Sequence, residues 1–156
     1  MADHPVGPRL GIDWGKARIG VAASNRGTTL AYPVETVQAG PNALRRIAEL
    51  VAEYEPGIVY VGLPLTLKGE RSFSAQYVLE RVAELGGVIG ADNIRLVDER
   101  MSTSSASRNL GSAGRRIKQQ RNVIDQAAAV EILQRALDLE ISSGNPAGEA
   151  LEGDEA

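Results

Sequence analysis

Leu10-Gly11-Ile12-Asp13-Trp14-Gly15-Lys16-Ala17-Arg18-Ile19-Gly20-Val21-Ala22-Ala23-Ser24 is the stretch whose reading decides the architecture. Leu10, Ile12 and Trp14 alternate with Gly11 and Asp13, the period of a strand with one apolar face, and Ile19 to Ala23 is a second apolar run. Gly15 to Arg18 between them is short enough to close a hairpin. A carboxylate within such a strand goes against type, because aspartate is depleted from strands and a buried charge needs a cation or a metal. The other reading of Asp13 is an Asx-type turn leading into Gly15. Spacing leaves both open.

Outward from the hairpin, a third strand is expected between Thr29 and Val37. Pro41 opens a segment in which Leu44, Ile47, Ala48, Val51 and Tyr54 recur at helical spacing, closed by Pro56-Gly57. Ile58 to Val61 is a short apolar run suited to a buried parallel strand, followed by Gly62-Leu63-Pro64. Ser72 can cap a second helix with Ala75, Val78, Leu79, Val82 and Leu85 on one side, ending at Gly86-Gly87. Ile94 to Val97 is another strand, running into Asp98-Glu99-Arg100. A short helix from Ser102 to Leu110 and a long one from Asn122 to about Ile141 follow. The order β-β-β-α-β-α-β-α-α predicts an α/β fold with a mixed sheet flanked by helices. In such sheets ligands collect beyond the carboxyl ends of parallel strands, so Gly62-Leu63-Pro64 and Asp98-Glu99 are expected side by side on one edge.

The chain has 156 residues, enough for one ordinary domain, expected over 9–141 between a disordered leader (1–8) and a disordered acidic tail (142–156). It contains no cysteine, and its one histidine, His4, lies in the leader. A Ser-His-Asp triad, a thiol nucleophile and a Cys/His zinc site are therefore excluded. No secretory signal and no apolar run of membrane-spanning length is present, so a cytoplasmic protein without membrane contact is expected.

The net charge of −3 conceals an asymmetry. Between Arg100 and Ile124 stand six basic residues, Arg100, Arg108, Arg115, Arg116, Lys118 and Arg121, and no acidic one; the remainder carries 11 basic and 20 acidic residues, or −9. Guanidinium forks pair with phosphate oxygens and displace condensed counterions, so this block, with Gly111 to Gly114 as a flexible turn, suits a phosphate backbone. A solvated surface loop is the plainer alternative.

Three acids stand out beside it. Asp98 and Glu99 project to opposite faces at a strand end, where they are either surface acids or edge ligands. Asp125 shares a helix face with Ala128, Ala129 and Ile132, and the alanines let the helix lie close to a sheet. Asn122 to Asp125 also reads as a capping box. Acids from two strands and a helix, without His or Cys, match the oxygen coordination of Mg²⁺ or Mn²⁺, ions that activate water and stabilise a leaving oxygen in phosphodiester cleavage.

Four segments, Leu10 to Ser24, Val61-Gly62-Leu63-Pro64 with Gly69, Asp98 to Thr103, and Ile124-Asp125-Gln126-Ala127-Ala128, resemble in order and spacing the YqgF/RuvX family of bacterial proteins, over roughly residues 9–140. The resemblance implies an RNase H-like fold with a mixed five-stranded sheet in the order 3-2-1-4-5. It implies a metal-dependent endonuclease that matures the 5′ end of the 16S rRNA precursor, or a Holliday junction resolvase acting on branched DNA. It places the family's acidic positions on Asp13, Glu99 and Asp125 as catalytic residues holding Mg²⁺ or Mn²⁺. Lys16, Arg18 and the basic block from Arg100 to Arg121 are then the nucleic-acid contacts, with pre-16S rRNA, ribosomal precursor particles or branched DNA as partners and a monomer or homodimer as the working form. Gly62-Leu63-Pro64 lacks the carboxylate that RNase H and RuvC enzymes carry at the end of the fourth strand, which implies a weaker hold on a second ion. A non-catalytic nucleic-acid or ribosome-associated module of the same fold is the alternative of another class.

Overall fold

A computed structural model describes residues 7–64, 73–98 and 117–151, with the backbone alone for 117–125. Six strands form one sheet: β1 (Arg9–Trp14), β2 (Arg18–Ser24), β3 (Tyr32–Gln38), β4 (Ile58–Leu63), β5 (Ile94–Asp98) and β6 (Glu149–Ala150), in the order β3-β2-β1-β4-β5-β6. β1 and β2 are the expected antiparallel hairpin, with Trp14 opposite Ile19. The Gly15 N–H closes it on the Arg18 carbonyl at 3.0 Å. β4 and β5 run parallel to β1 and to each other, with Leu63 beside Asp98 as expected for the shared edge.

The two faces of β1 feed two cores. Leu10, Ile12 and Trp14 pack with Ile47 and Leu50 of α1 (Ala43–Tyr54) and with Val78, Val82 and Leu85 of α2 (Phe73–Ile89). Tyr60, Ala22 and Val97 pack instead against Ala129, Ile132, Leu133, Ala136 and Leu137 of α3 (Ile117–Ser143). Each fully buried Leu, Ile or Val among them contributes on the order of 1.5–3 kcal/mol of transfer free energy. Gly11 lies directly beneath α3: a β-carbon there would stand 2.6 Å from Leu133 Cβ and 3.1 Å from the Ala129 carbonyl oxygen. The close approach of helix to sheet therefore requires glycine.

Five expectations are corrected. The sheet has six strands rather than five, and the tail expected to be disordered from residue 142 contributes the sixth. Arg95 explains this, its Nε and Nη2 donating to the carbonyls of Ala147 and Gly148 at 2.6 and 2.8 Å, while the Leu151 N–H bonds the Ile94 carbonyl. α2 continues through Gly86-Gly87 to Ile89, which packs on the core, and stops where Gly90 adopts φ 98°. α3 starts at Ile117 rather than Asn122, since Lys118, Gln119, Gln120 and Arg121 are good helix formers without an apolar pattern to announce them. The third strand begins at Tyr32, not Thr29, because the Thr29 carbonyl and the Ala31 N–H are bonded to the Gln134 side chain instead of a strand. The expected Ser72 cap, the helix from Ser102 to Leu110 and the leader through residue 6 fall outside the described residues.

Gly11→Ala should destabilise the protein by about 1–3 kcal/mol, because overpacking at this contact has to push α3 away. Gly87→Ala, with open space around its Cβ, should be neutral or stabilising by up to ~1 kcal/mol. Urea unfolding of the two variants measures the contrast.

Candidate functional site

Asp13 lies on the α3 side of β1. Gly11, two residues earlier, faces Leu133, and the alternation of a strand returns Asp13 to that side. Its lateral neighbours in the sheet can be read from the registers. Asp13 pairs with Gly20, and Gly20 pairs with Thr36. On the other side, Ile12 pairs with Val61, so Asp13 stands level with Gly62, which pairs with Val97. The row Thr36-Gly20-Asp13-Gly62-Val97 thus puts a half-buried carboxylate between two residues without side chains.

α3 supplies the roof of this row. From Gly11 to Asp13 the strand advances ~6.6 Å. From Ala129, over Gly11, back to Asp125 the helix rises ~6 Å. The backbone of Asp125 is therefore brought to the level of Asp13. The next residue fixes the match: Gln126 Nε2 donates to Thr36 Oγ1 at 2.9 Å, in the same row. Because α3 begins eight residues before Asp125, Asn122 and Asp125 are interior helix positions, and the capping-box reading is set aside. Glu99 follows the last residue of β5 and lies outside the described residues. Among the described residues no three His, Cys, Asp or Glu side chains converge on one point.

The far half of α3 is fastened by a polar cluster. Arg9 Nε and Nη2 donate to the two Glu140 oxygens at 2.9 and 3.0 Å, both side chains being about nine-tenths buried. Tyr60 Oη donates to Glu140 Oε2 at 2.5 Å and accepts from the Ala147 N–H at 3.0 Å. Burial, and then the bond to Glu140, holds the Tyr60 hydroxyl well above its ordinary pKa. Strands β1 and β4, α3 and the segment leading to β6 thus meet at one hydroxyl and one carboxylate, which sets the position of the helix along the sheet.

The basic residues are placed unevenly. Lys16 is at the exposed hairpin tip and Arg18 begins β2 half-buried. Lys118 and Arg121 are in the opening turns of α3, on the approach to Asp125. Arg100, Arg108, Arg115 and Arg116 lie outside the described residues. Lys16 leans away from α3, with Nζ 5.9 Å from the centre of the Tyr77 ring on α2. Arg81 stacks on the same ring at 5.4 Å. Neither Tyr77 nor Arg81 was distinguishable in the sequence from an ordinary helix surface. A separate hollow of about 600 Å³, lined by Val97, Asp98, Arg135, Asp138, Leu139 and Gly148, lies along the C-terminal half of α3.

A mixed sheet with β3-β2-β1-β4-β5 order, helices on both faces and an aspartate on the central strand define the RNase H-like class. The chain belongs to the RuvX family, described as Holliday junction resolvase, which matches it over residues 7–139. Among its relatives is a protein of Cutibacterium acnes named "Putative pre-16S rRNA nuclease", 53% identical over 132 residues, covering 85% of this chain and 82% of the relative. A Streptomyces coelicolor protein of the same name is 51% identical over 157 residues, covering 97% and 94%. The solved structure of T. thermophilus RuvC in complex with Holliday junction substrate superposes with a TM-score of 0.54, covering 90% of this chain and 99% of that one. At 16% identity this likeness is one of fold.

Tyr60→Phe should cost about 1–3 kcal/mol near neutral pH, by leaving the buried Ala147 N–H without its acceptor and Glu140 Oε2 with Arg9 as its remaining donor. The raised hydroxyl pKa contributes stability that is complete below the ordinary value of 10.0 and is lost as pH climbs above it. Denaturant unfolding followed from pH 8 upward should therefore show an alkaline decline in the parent protein that shrinks in Tyr60→Phe.

Proposed function

We propose that this protein is a divalent-cation-dependent endonuclease of the cytoplasm that cleaves structured RNA, maturing the 5′ end of the 16S rRNA precursor. The single observation that carries the reading is the Asp13 row, a half-buried carboxylate between Gly20 and Gly62 beneath the Asp125-Gln126 turn of α3. The names of the curated relatives support the substrate.

The residues fit a hard cation. Asp13 offers carboxylate oxygens in the row between Gly20 and Gly62, and the backbone level of Asp125 matches it. Asp13, Asp125 and Glu99 would hold Mg²⁺ or Mn²⁺, whose preference is for such oxygens. Once bound, the cation supplies Lewis acidity at the scissile phosphate and activates water for in-line attack. The chain does the rest by positioning. Lys118 and Arg121 on the approach to Asp125, Lys16 and Arg18 at the hairpin, and Arg100, Arg108, Arg115 and Arg116 grip the phosphates on either side of the cut. They fix register without reading sequence. A water oxygen adds to phosphorus and gives up a proton to solvent, the P–O ester bond breaks, and the departing oxygen takes a proton from solvent.

A second reading, cleavage of four-way DNA junctions, is favoured by the family's description and by the RuvC-like fold. Symmetric cutting of a junction requires two active sites and so a homodimer, whereas trimming rRNA proceeds with a monomer.

Asp13→Asn and Asp125→Asn should each lower cleavage of a precursor-rRNA fragment by about 10²-fold or more, the loss of several kcal/mol of transition-state stabilisation. Gel assays on that fragment and on a four-way junction, with and without Mn²⁺, check this. Unchanged rates in the variants refute the metal site. Preference for the junction selects the second reading. Salt-sensitive binding that survives EDTA, with no cut strand under any divalent ion, means a non-catalytic module.

A further inference from the structure

On the opposite face from Asp13, the carboxyl end of β1 opens into a cavity of about 340 Å³. Trp14, Tyr77, Gly40 and Pro41 form its walls, with Arg81 and Glu84 also lining it. This is near the small end of ligand pockets, which run ~300–1,000 Å³, and suits one nucleotide rather than a base pair. Trp14 follows Asp13 directly, so the cavity and the proposed cleavage site lie at the same end of β1, on its two opposite faces.

The lining has the composition of a base-binding site. Trp14 and Tyr77 bring aromatic surface. Lys16 Nζ and the Arg81 guanidinium are stacked on Tyr77 at 5.9 and 5.4 Å, which holds two cations at the rim. Arg81 Nη2 is paired with Glu84 Oε2 at 3.2 Å and lies 4.0 Å from Glu80 Oε1, while Arg81 Nε is buried without a hydrogen-bond partner among the described residues. Glu84 rules against a simple anion site, since a carboxylate beside a bound phosphate repels it. A guanidinium and a carboxylate together present donors and acceptors, the pattern that the edge of an unpaired base satisfies. The cations at the rim then meet the flanking phosphates.

We propose that this cavity seats one unpaired RNA nucleotide next to the cleaved bond, with its base against Tyr77 and its edge on Arg81 and Glu84. The inference rests on the nuclease reading and deepens it: the enzyme takes RNA in which a single-stranded segment adjoins the cleavage point.

The test uses the full chain in EDTA, where no strand is cut, and fluorescence anisotropy with two RNAs, a blunt hairpin duplex and the same duplex bearing a short unpaired overhang. The parent protein should bind the overhang RNA more tightly. Arg81→Gln and Tyr77→Leu should each lose about tenfold on that RNA, the effect of removing one base contact, and leave the blunt duplex unaffected. Should Tyr77→Leu unfold, Arg81→Gln, on a side chain one-third exposed, carries the test. Equal affinity of the parent for both RNAs, or equal losses on both in the variants, overturns the seat while leaving the nuclease reading in place. Failure of the parent to bind either RNA overturns both.

Discussion

The contact between Gly11 and α3 organises the molecule. A strand and a helix ordinarily keep their backbones apart by the thickness of their side chains; here one strand residue has none and the helix presents Ala129 and Leu133 to it. Small residues on the helix, Ala128, Ala129 and Ala136, are all buried along this face. Close packing makes the position of the helix discrete, because interiors transmit a shift of one group to its neighbours. The carboxylate two residues downstream on β1 and the helix turn upstream of Ala129 are placed by the same contact, which is how a packing constraint becomes an arrangement of acids.

That contact sets the height of the helix, and polar groups lock its registration along the axis. Glu140 receives Arg9 and Tyr60 together, in an environment where an unpaired charge would be costly. Such a pairing adds little net stability over an apolar substitute, yet it tolerates no sliding, since any displacement strands a buried charge. Gln126 on Thr36 performs the same service at the other end. Between these two points α3 is held at a fixed height and a fixed phase over the sheet.

The sequence carried this in part, for identifiable reasons. Leu10, Ile12 and Trp14 at period two, and Ile47 within the helical spacing of α1, are buried because one face of each element is apolar, so the hairpin and α1 were readable, while the strand order came from the family resemblance. Asp13 was readable as an anomaly within a strand. Asp125 was not separable from a helix cap, because the polar run Lys118 to Arg121 carries no period and hid the start of α3. β6 was invisible: Glu149 and Ala150 are both exposed, and their order comes from Arg95, more than fifty residues away in sequence. Tyr77 and Arg81 gained meaning only once Lys16, from a distant hairpin, was found beside them.

The two residues of β6 have a consequence out of proportion to their length. Without them β5, a parallel strand carrying Leu96 and Val97, would end the sheet with a row of unsatisfied amides, the template on which foreign strands anneal. The segment from Ala147 to Leu151 serves as a selvedge that keeps the fabric from unravelling into its neighbours. Truncating or fusing the protein near residue 145 therefore trades a short tail for a sticky border.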